Sequence, residues 1–338
     1  MTRTARTTKT AALCFSLLLI AMLLVSSLLG AEAGAQAPVK IKIGYGELPT
    51  DPTPLLFEKK DILKNYGKTY TVELVQFRGG SAPIPALAAK ELDLSYMSFP
   101  ALASALLRAK LDLKVVSGLA GYAPGYGSPY WVVLEDSSIK KVEDLRGKVL
   151  GTNALGTGID FAARAMLLKS GLHYPKDYSF VEVTFPNQEA MLREKKIDMA
   201  VLIPAFFYRA KAKGGLRVLF SSLDAIGPSQ MLVHVARTEF LQKNSAAVKE
   251  FYADYKTALK WFRDPANLDE ALDITARFTK RPKQSLKPYA FQKADFYQNT
   301  EAVPDVKALQ KDLDLLKTLG FIDQKIEIEK YLDLSFIR

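Results

Sequence analysis

The chain is poor in the side chains that carry most enzymatic chemistry. Its 338 residues include one cysteine, Cys14, and two histidines, His173 and His234. A nucleophilic triad sets a histidine beside a hydroxyl or thiol. Neither histidine lies in such a motif, and both read as structural or surface residues. Cys/His zinc spacing is missing, as are an Asp-rich calcium loop and a Gly-Lys-Ser/Thr phosphate loop. Ser137-x-x-Lys140 matches a serine–lysine motif only briefly, in an expected turn, and is read as coincidence. The glycines from Gly118 to Gly127 open no helix, so they do not make a dinucleotide fingerprint. No catalytic residue, cofactor or metal is expected.

Cys14 lies inside the one long apolar run. Arg3, Arg6 and Lys9 precede the apolar stretch Ala11–Leu29, and Ala33-Gly34-Ala35 follows it. That is the layout of a cleavable export signal, so residues 1–35 are expected to be removed on export. The run is long enough to span a bilayer, which makes an uncleaved N-terminal anchor the alternative. The remainder has no thiol, hence no disulfide and no cysteine metal site. Removing three cations and Glu32 lowers the formal charge from +10 by two, to +8. Cations such as Lys195-Lys196 alternate with acids, so they read as solvated faces, and no nucleic acid is expected as a partner.

What the chain does have is two similar stretches. Val72–Leu119 and Phe180–Leu223 each read as strand, helix, short buried strand, helix, strand. Lys90-Glu-Leu-Asp93 and Pro100-Ala101 in the first correspond to Lys195-Lys-Ile-Asp198 and Pro204-Ala205 in the second. Two αβ lobes facing each other enclose a cleft. Around them, Val39–Tyr45 and Tyr130–Leu134 read as strands, Leu55–Leu63 and Ile159–Ser170 as helices, and Gln230–Val235 as a strand returning to the first lobe. Helices are expected at Ala246–Phe262, Leu268–Phe278 and Val306–Leu319. The Gly/Pro/Tyr-rich segment Gly118–Pro129 marks the first domain boundary.

In doubly wound αβ sheets, ligands bind beyond the carboxyl ends of the strands. The turns there carry small or capping residues: Gly46 and Glu47; Arg78, Gly79, Gly80 and Ser81; Ser98 and Phe99; Asn153, Gly156, Thr157 and Gly158; Ile203 and Pro204. Free amides and the helix dipole make such termini anion sites. Arg78 has two readings, a fixed charge gripping a carboxylate, sulfonate or phosphate or an ordinary solvent-facing residue.

These turns belong to longer matching stretches. The strand Ile41-Lys-Ile-Gly-Tyr-Gly46, the segment Ala86-Leu-Ala-Ala-Lys-Glu-Leu-Asp-Leu94 leading to Pro100-Ala101, Val142-Glu-Asp-Leu-Arg-Gly-Lys-Val149 and Lys196-Ile-Asp-Met-Ala-Val-Leu-Ile-Pro204 stand out. In them the chain resembles periplasmic substrate-binding proteins of ABC importers, of the nitrate/sulfonate/taurine/bicarbonate group that includes thiamine-precursor binders. The resemblance implies an α/β fold of two lobes, each a doubly wound sheet flanked by helices, joined by two crossing strands. Lobe 1 would hold residues 36–129 and 236–338, and lobe 2 residues 130–235. It implies a monomer that closes on a small solute and hands it to an ABC permease at the inner membrane, with the turns named above as contacts. Many members have Gly-Asp where Ser98-Phe99 stands, and Trp-Glu-Pro where Leu202-Ile203-Pro204 stands. Both acids are gone, which speaks against an amine-bearing ligand such as taurine and for an organic acid. The alternative is an enzyme on the same fold, such as a pyrimidine-precursor synthase or a chorismate-type dehydratase; a sensor partner of a membrane kinase is a third reading.

Overall fold

The computed structural model describes residues 37–46 and 51–338. The expected export signal and Glu47 lie outside the described residues. No helix among the described residues is long and apolar enough to cross a membrane.

Alternation in Val39–Tyr45 produces strand β1, with Ile41 and Ile43 fully buried. Helix α1 covers only Thr53–Leu56, and a 3-10 turn at Lys60–Ile62 replaces the rest of the helix expected over Leu55–Leu63. The cause is local. The next amides, of Lys64, Asn65 and Tyr66, donate to the Asp254 carboxylate and not to helical carbonyls. The chain continues through β2 (Tyr70–Gln76), α2 (Ile84–Ala88), β3 (Leu94–Ser98), α3 (Phe99–Leu107) and β4 (Leu113–Tyr122). Next come β5 (Tyr130–Leu134), β6 (Val149–Thr152), α4 (Gly158–Lys169), β7 (Ser179–Glu182) and α5 (Phe185–Arg193). They are followed by β8 (Ala200–Leu202), α6 (Pro204–Lys213), β9 (Leu216–Ser221), α7 (Ser222–Ile226) and β10 (Ser229–Arg237). Five helices complete the chain: α8 (Thr238–Lys243), α9 (Ser245–Arg263), α10 (Leu268–Thr279), α11 (Lys283–Leu286) and α12 (Val306–Thr318).

The five-stranded sheet has the order β2-β1-β3-β10-β4. Strands β2, β1 and β3 are parallel, and β10 runs antiparallel to both β3 and β4. In the other half β6 is parallel to β7, and β5 is antiparallel to β8 and β9. A parallel bridge between Leu150 and Met199 joins β6 to β8. Read through that bridge, the order is β7-β6-β8-β5-β9, the first topology repeated strand for strand. The two similar stretches of sequence are therefore equivalent parts of two equivalent sheets.

The shared Lys-x-(Leu/Ile)-Asp landmark has a physical reason. Lys90 and Lys195 both take a left-handed backbone, with φ of 61° and 57°, ending α2 and the α5 segment. The aspartate that follows ties the next strand to its neighbour. Asp93 accepts from the Lys42 amide at 3.0 Å and donates its own amide to the Lys42 carbonyl. Asp198 makes the same pair of bonds with Val149.

Helix α9 buries Phe251, Tyr252, Tyr255, Leu259 and Phe262 on one stripe against the larger sheet. Phe251 stacks on Phe57 at 5.7 Å and meets Tyr70 edge-on at 5.5 Å. His234 of β10 is fully buried in this core. One ring nitrogen is 3.1 Å from Ser117 Oγ and 3.3 Å from the Tyr252 hydroxyl, and the other is 3.3 Å from Thr53 Oγ1. Burial pushes the imidazole down to about 3. A folded value below the unfolded one near 6.5 gives stability present above pH 6.5 and lost as pH falls toward 3, at up to about 1.4 kcal/mol per unit. The fully buried Asp295 is pushed up to about 6 by desolvation, against the pull of Arg263, and favours the folded state as pH falls through 6. The His234 ring resonances are expected to keep their neutral positions by NMR from pH 8 down to about pH 4; a midpoint above pH 5.5 would show a hydrated ring.

Candidate functional site

The carboxyl ends of β3 and β6 and the turns after β2 and β7 meet in a cleft with about 450 Å³ of empty space, counting its open mouth. Gly79, Gly80, Tyr96, Ser98, Asn153, Thr157 and Gly158 form its polar side, and Ile159, Phe185, Met231 and Leu232 its apolar side. Among the described residues, neither a carboxylate nor a cation lines it.

Two helices begin here. Helix α3 starts at Phe99, after Ser98 in extended backbone, and α4 starts at Gly158, after the N-cap Thr157. First-turn amides have no acceptor inside their own helix, and the dipole adds partial positive charge at each start. The two starts lie close together: a methyl placed on Gly158 would be 3.8 Å from Ser98 Cβ and 3.6 Å from the Phe99 ring. Ser98 Oγ is buried and has no hydrogen-bond partner among the described residues. It does not cap α3, and Pro100 at the second helical position has no N–H to offer it.

The Asn153–Thr157 loop is held from behind. Thr157 Oγ1 accepts from the Asp160 amide at 3.3 Å and lies 3.1 Å from Asn153 Oδ1 and 2.9 Å from the Ala154 carbonyl. Asp160 accepts from the Gly156 amide at 2.9 Å and pairs with Arg164 at 2.9 Å. Burial holds the Asp160 carboxyl above its ordinary value despite Arg164. The Leu155 amide is bound by Glu182 at 2.6 Å. The Leu155 and Gly156 amides are therefore occupied by the protein's own carboxylates, and the helix starts and the Asn153 side-chain amide remain as donors for a ligand. Across the cleft, the Tyr96 hydroxyl donates to the Gly79 carbonyl at 2.6 Å and fixes the turn after β2.

Six of the residues picked out in the sequence line the cleft together: Gly79, Gly80, Ser98, Asn153, Thr157 and Gly158. Gly46 lies against the Tyr96 ring, where a methyl would come within 2.8 Å of it. Arg78 is exposed at the rim, with no hydrogen bond or ion pair among the described residues. Ser81 is half-buried beside Gly80 and accepts from the Ile84 amide through its carbonyl. The cap of α2 is Pro83, not Ser81. Phe99 is fully buried behind Ser98, edge-on to Phe161 at 5.3 Å. Gly156 is exposed with φ of 75°. Ile203 and Pro204 are buried and do not line the cleft; Pro204 packs close to Gly127. Tyr96, Ile159, Phe185, Met231 and Leu232 escaped sequence reasoning. Phe185 had a signal, since its turn after β7 corresponds to the Arg78–Ser81 turn after β2. Met231 and Leu232 are apolar residues in an apolar strand and had none.

Two topologically equivalent αβ sheets with a cleft at their strand ends define the two-lobed periplasmic binding protein class of fold. Residues 70–267, more than half of the chain, match the family described as NMT1/THI5 like, and the chain belongs to that family. A search of the curated proteins found no match. Similar solved structures include the periplasmic aliphatic sulphonate binding protein SsuA from Escherichia coli, at 20% identity and a TM-score of 0.68 over 88% of this chain and 92% of that one. The alkanesulfonate-binding SsuA from Xanthomonas axonopodis pv. citri, bound to MOPS, matches at 17% identity and 0.68 over 88% and 99%. The desulfurization enzyme DSZB matches at 16% identity and 0.61 over 88% and 97%. At these identities the likeness is one of fold, and the fold is seen with both binding proteins and an enzyme.

Proposed function

We propose that the protein is the extracytoplasmic solute-binding component of an ABC importer. It captures a small organic acid or anion (a sulfonate, nitrate or a carboxylate) and delivers it to a permease at the inner membrane. The observation that carries this reading is the convergence of two helix starts, with a Ser98 hydroxyl unpartnered among the described residues, on a cleft whose described lining carries no charge. One negative charge is favoured by the amides and dipoles there, and Ile159, Phe185, Met231 and Leu232 give an apolar body a surface to lie on. In this reading the lobes are residues 36–129 with 236–338 and residues 130–235. Because β10 pairs within the five-stranded sheet, the second crossing belongs before that strand. Contacts to both lobes favour the closed form. The protein works as a periplasmic monomer after removal of its export signal.

The test is native mass spectrometry of the exported protein, followed by thermal shifts against sulfonates, nitrate, aliphatic and aromatic carboxylates, pyrimidines and amines. A micromolar binder at millimolar concentration should add about 4 kcal/mol. A large shift with one class of anion and unchanged ligand mass is expected. Tighter binding of an amine would overturn the ligand class, and turnover of any compound would replace the reading with the enzyme alternative. Arg78 acts from the rim, as a steering charge. Arg78→Ala is therefore expected to slow association and flatten its salt dependence while changing Kd only about threefold; complete loss of binding would place the guanidinium on the ligand.

A further inference from the structure

The pairing of β10 with β4 shifts register at three places, and the first of them, between Ser229 and Leu232, holds the cleft residue Met231. Ser229 pairs with Tyr122 and Leu232 with Ala120, so β10 carries one residue more than β4 between those pairs. This is a bulge, the kind of irregularity that re-aims a side chain next to a site. Gln230 is bound into the structure on its own side. Its amide donates to Asp312 at 3.1 Å, its Nε2 to the Ala120 and Leu232 carbonyls, and its Oε1 accepts from the Asp305 amide at 2.8 Å. The next residue, Met231, lines the cleft. Its thioether is held as well: Met231 Sδ packs directly against the buried Tyr122 hydroxyl.

A methionine is ordinarily the most adaptable of apolar side chains, with three rotatable bonds. Here the backbone fixes one end and a phenol the other. The start of α4 closes the remaining side, since a methyl on Gly158 would be 3.7 Å from Met231 Cγ. We propose that Met231, aimed by the bulge in β10 and pinned by Tyr122, is the stop that limits how long an apolar tail the anion in this cleft carries. The inference rests on the anion-binding reading above. It assigns ligand length to one residue, with Tyr122 as a positioning residue acting through it.

The test is a thermal-shift and calorimetric series with straight-chain alkanesulfonates and carboxylates of one to eight carbons. The wild type should reach its best affinity at a short chain and lose it beyond. Met231→Ala should move the optimum two or three carbons longer, with up to about fourfold in Kd per added methylene. Tyr122→Phe should blur the cut-off without moving it as far. Met231→Leu keeps the volume without the sulfur; it should retain the short optimum and make a further Tyr122→Phe change silent, a coupling that a merely structural tyrosine would not show. Binding with the same optimum in wild type and Met231→Ala would overturn the inference and leave the anion reading intact. Silence of the wild type across both series would overturn the anion reading, and the inference with it.

Discussion

Asp254→Ala is expected to lower the thermal unfolding midpoint by about 10 °C. The carboxylate sits on α9, almost fully buried. It accepts from the amides of Lys64, Asn65 and Tyr66 at 3.0, 2.9 and 3.1 Å and from the Tyr70 hydroxyl at 3.0 Å. Alanine leaves those four donors without an acceptor. Breaking a buried charged network by removing one partner costs about 3–5 kcal/mol, and each kcal/mol moves the midpoint of a domain of 150–250 residues by about 2–4 °C. Asp254→Asn keeps one strong acceptor and should lose about half as much. Calorimetry measures both, and a drop below 2 °C for the alanine variant would mean that water takes over the amides.

Gly80→Ala is expected to weaken ligand binding by more than 100-fold while the protein stays folded. A methyl at this position would lie 2.6 Å from Ser98 Oγ, 2.9 Å from Ser98 Cβ and 3.1 Å from the Ser98 amide. These are closer than side-chain atoms approach in real structures, so the turn after β2 must back away from β3. The methyl then covers the one buried hydroxyl without a partner at the start of α3. Because the turn is half exposed, the cost to stability should stay near 1–3 kcal/mol. Titration calorimetry with the best anion of the panel reads the loss. A Kd within tenfold of the wild type would show that the ligand does not reach the floor between Gly80 and Ser98.

Much of the fold was legible because local chemistry and global topology agree. Asp93 and Asp198 are visible as landmarks since each must satisfy a neighbouring strand's amide; alternation marks β1, and a short apolar run after a Gly/Pro-rich break marks β5. The polar half of the cleft was legible for the same reason: strand-to-helix turns need small residues, and ligands bind at such turns. The apolar half was not. Met231 lies in a bulge of β10, which leaves no mark in residue spacing, and the shortened helix at Thr53–Leu56 depends on a carboxylate some 190 positions away. Leu202 and Ile203 occupy the places equivalent to Ser98 and Phe99, yet Leu202 is fully buried and does not line the cleft as Ser98 does. Pseudo-symmetry of the sheets does not extend to what covers them.

The order β2-β1-β3-β10-β4 bears on how the chain reaches this state. Strand β10 fills the gap between β3 and β4, but more than a hundred residues separate its start from the start of β4. Until residue 237 has been synthesised, β3 and β4 each present a bare hydrogen-bonding edge. The sheet assembled first in sequence is completed only after the other has been passed through. Closing such a long loop delays the nucleus and slows folding. The two edges of that sheet therefore wait for a strand that follows every strand of the other sheet, which makes them the places where the half-made chain is open to wrong pairing.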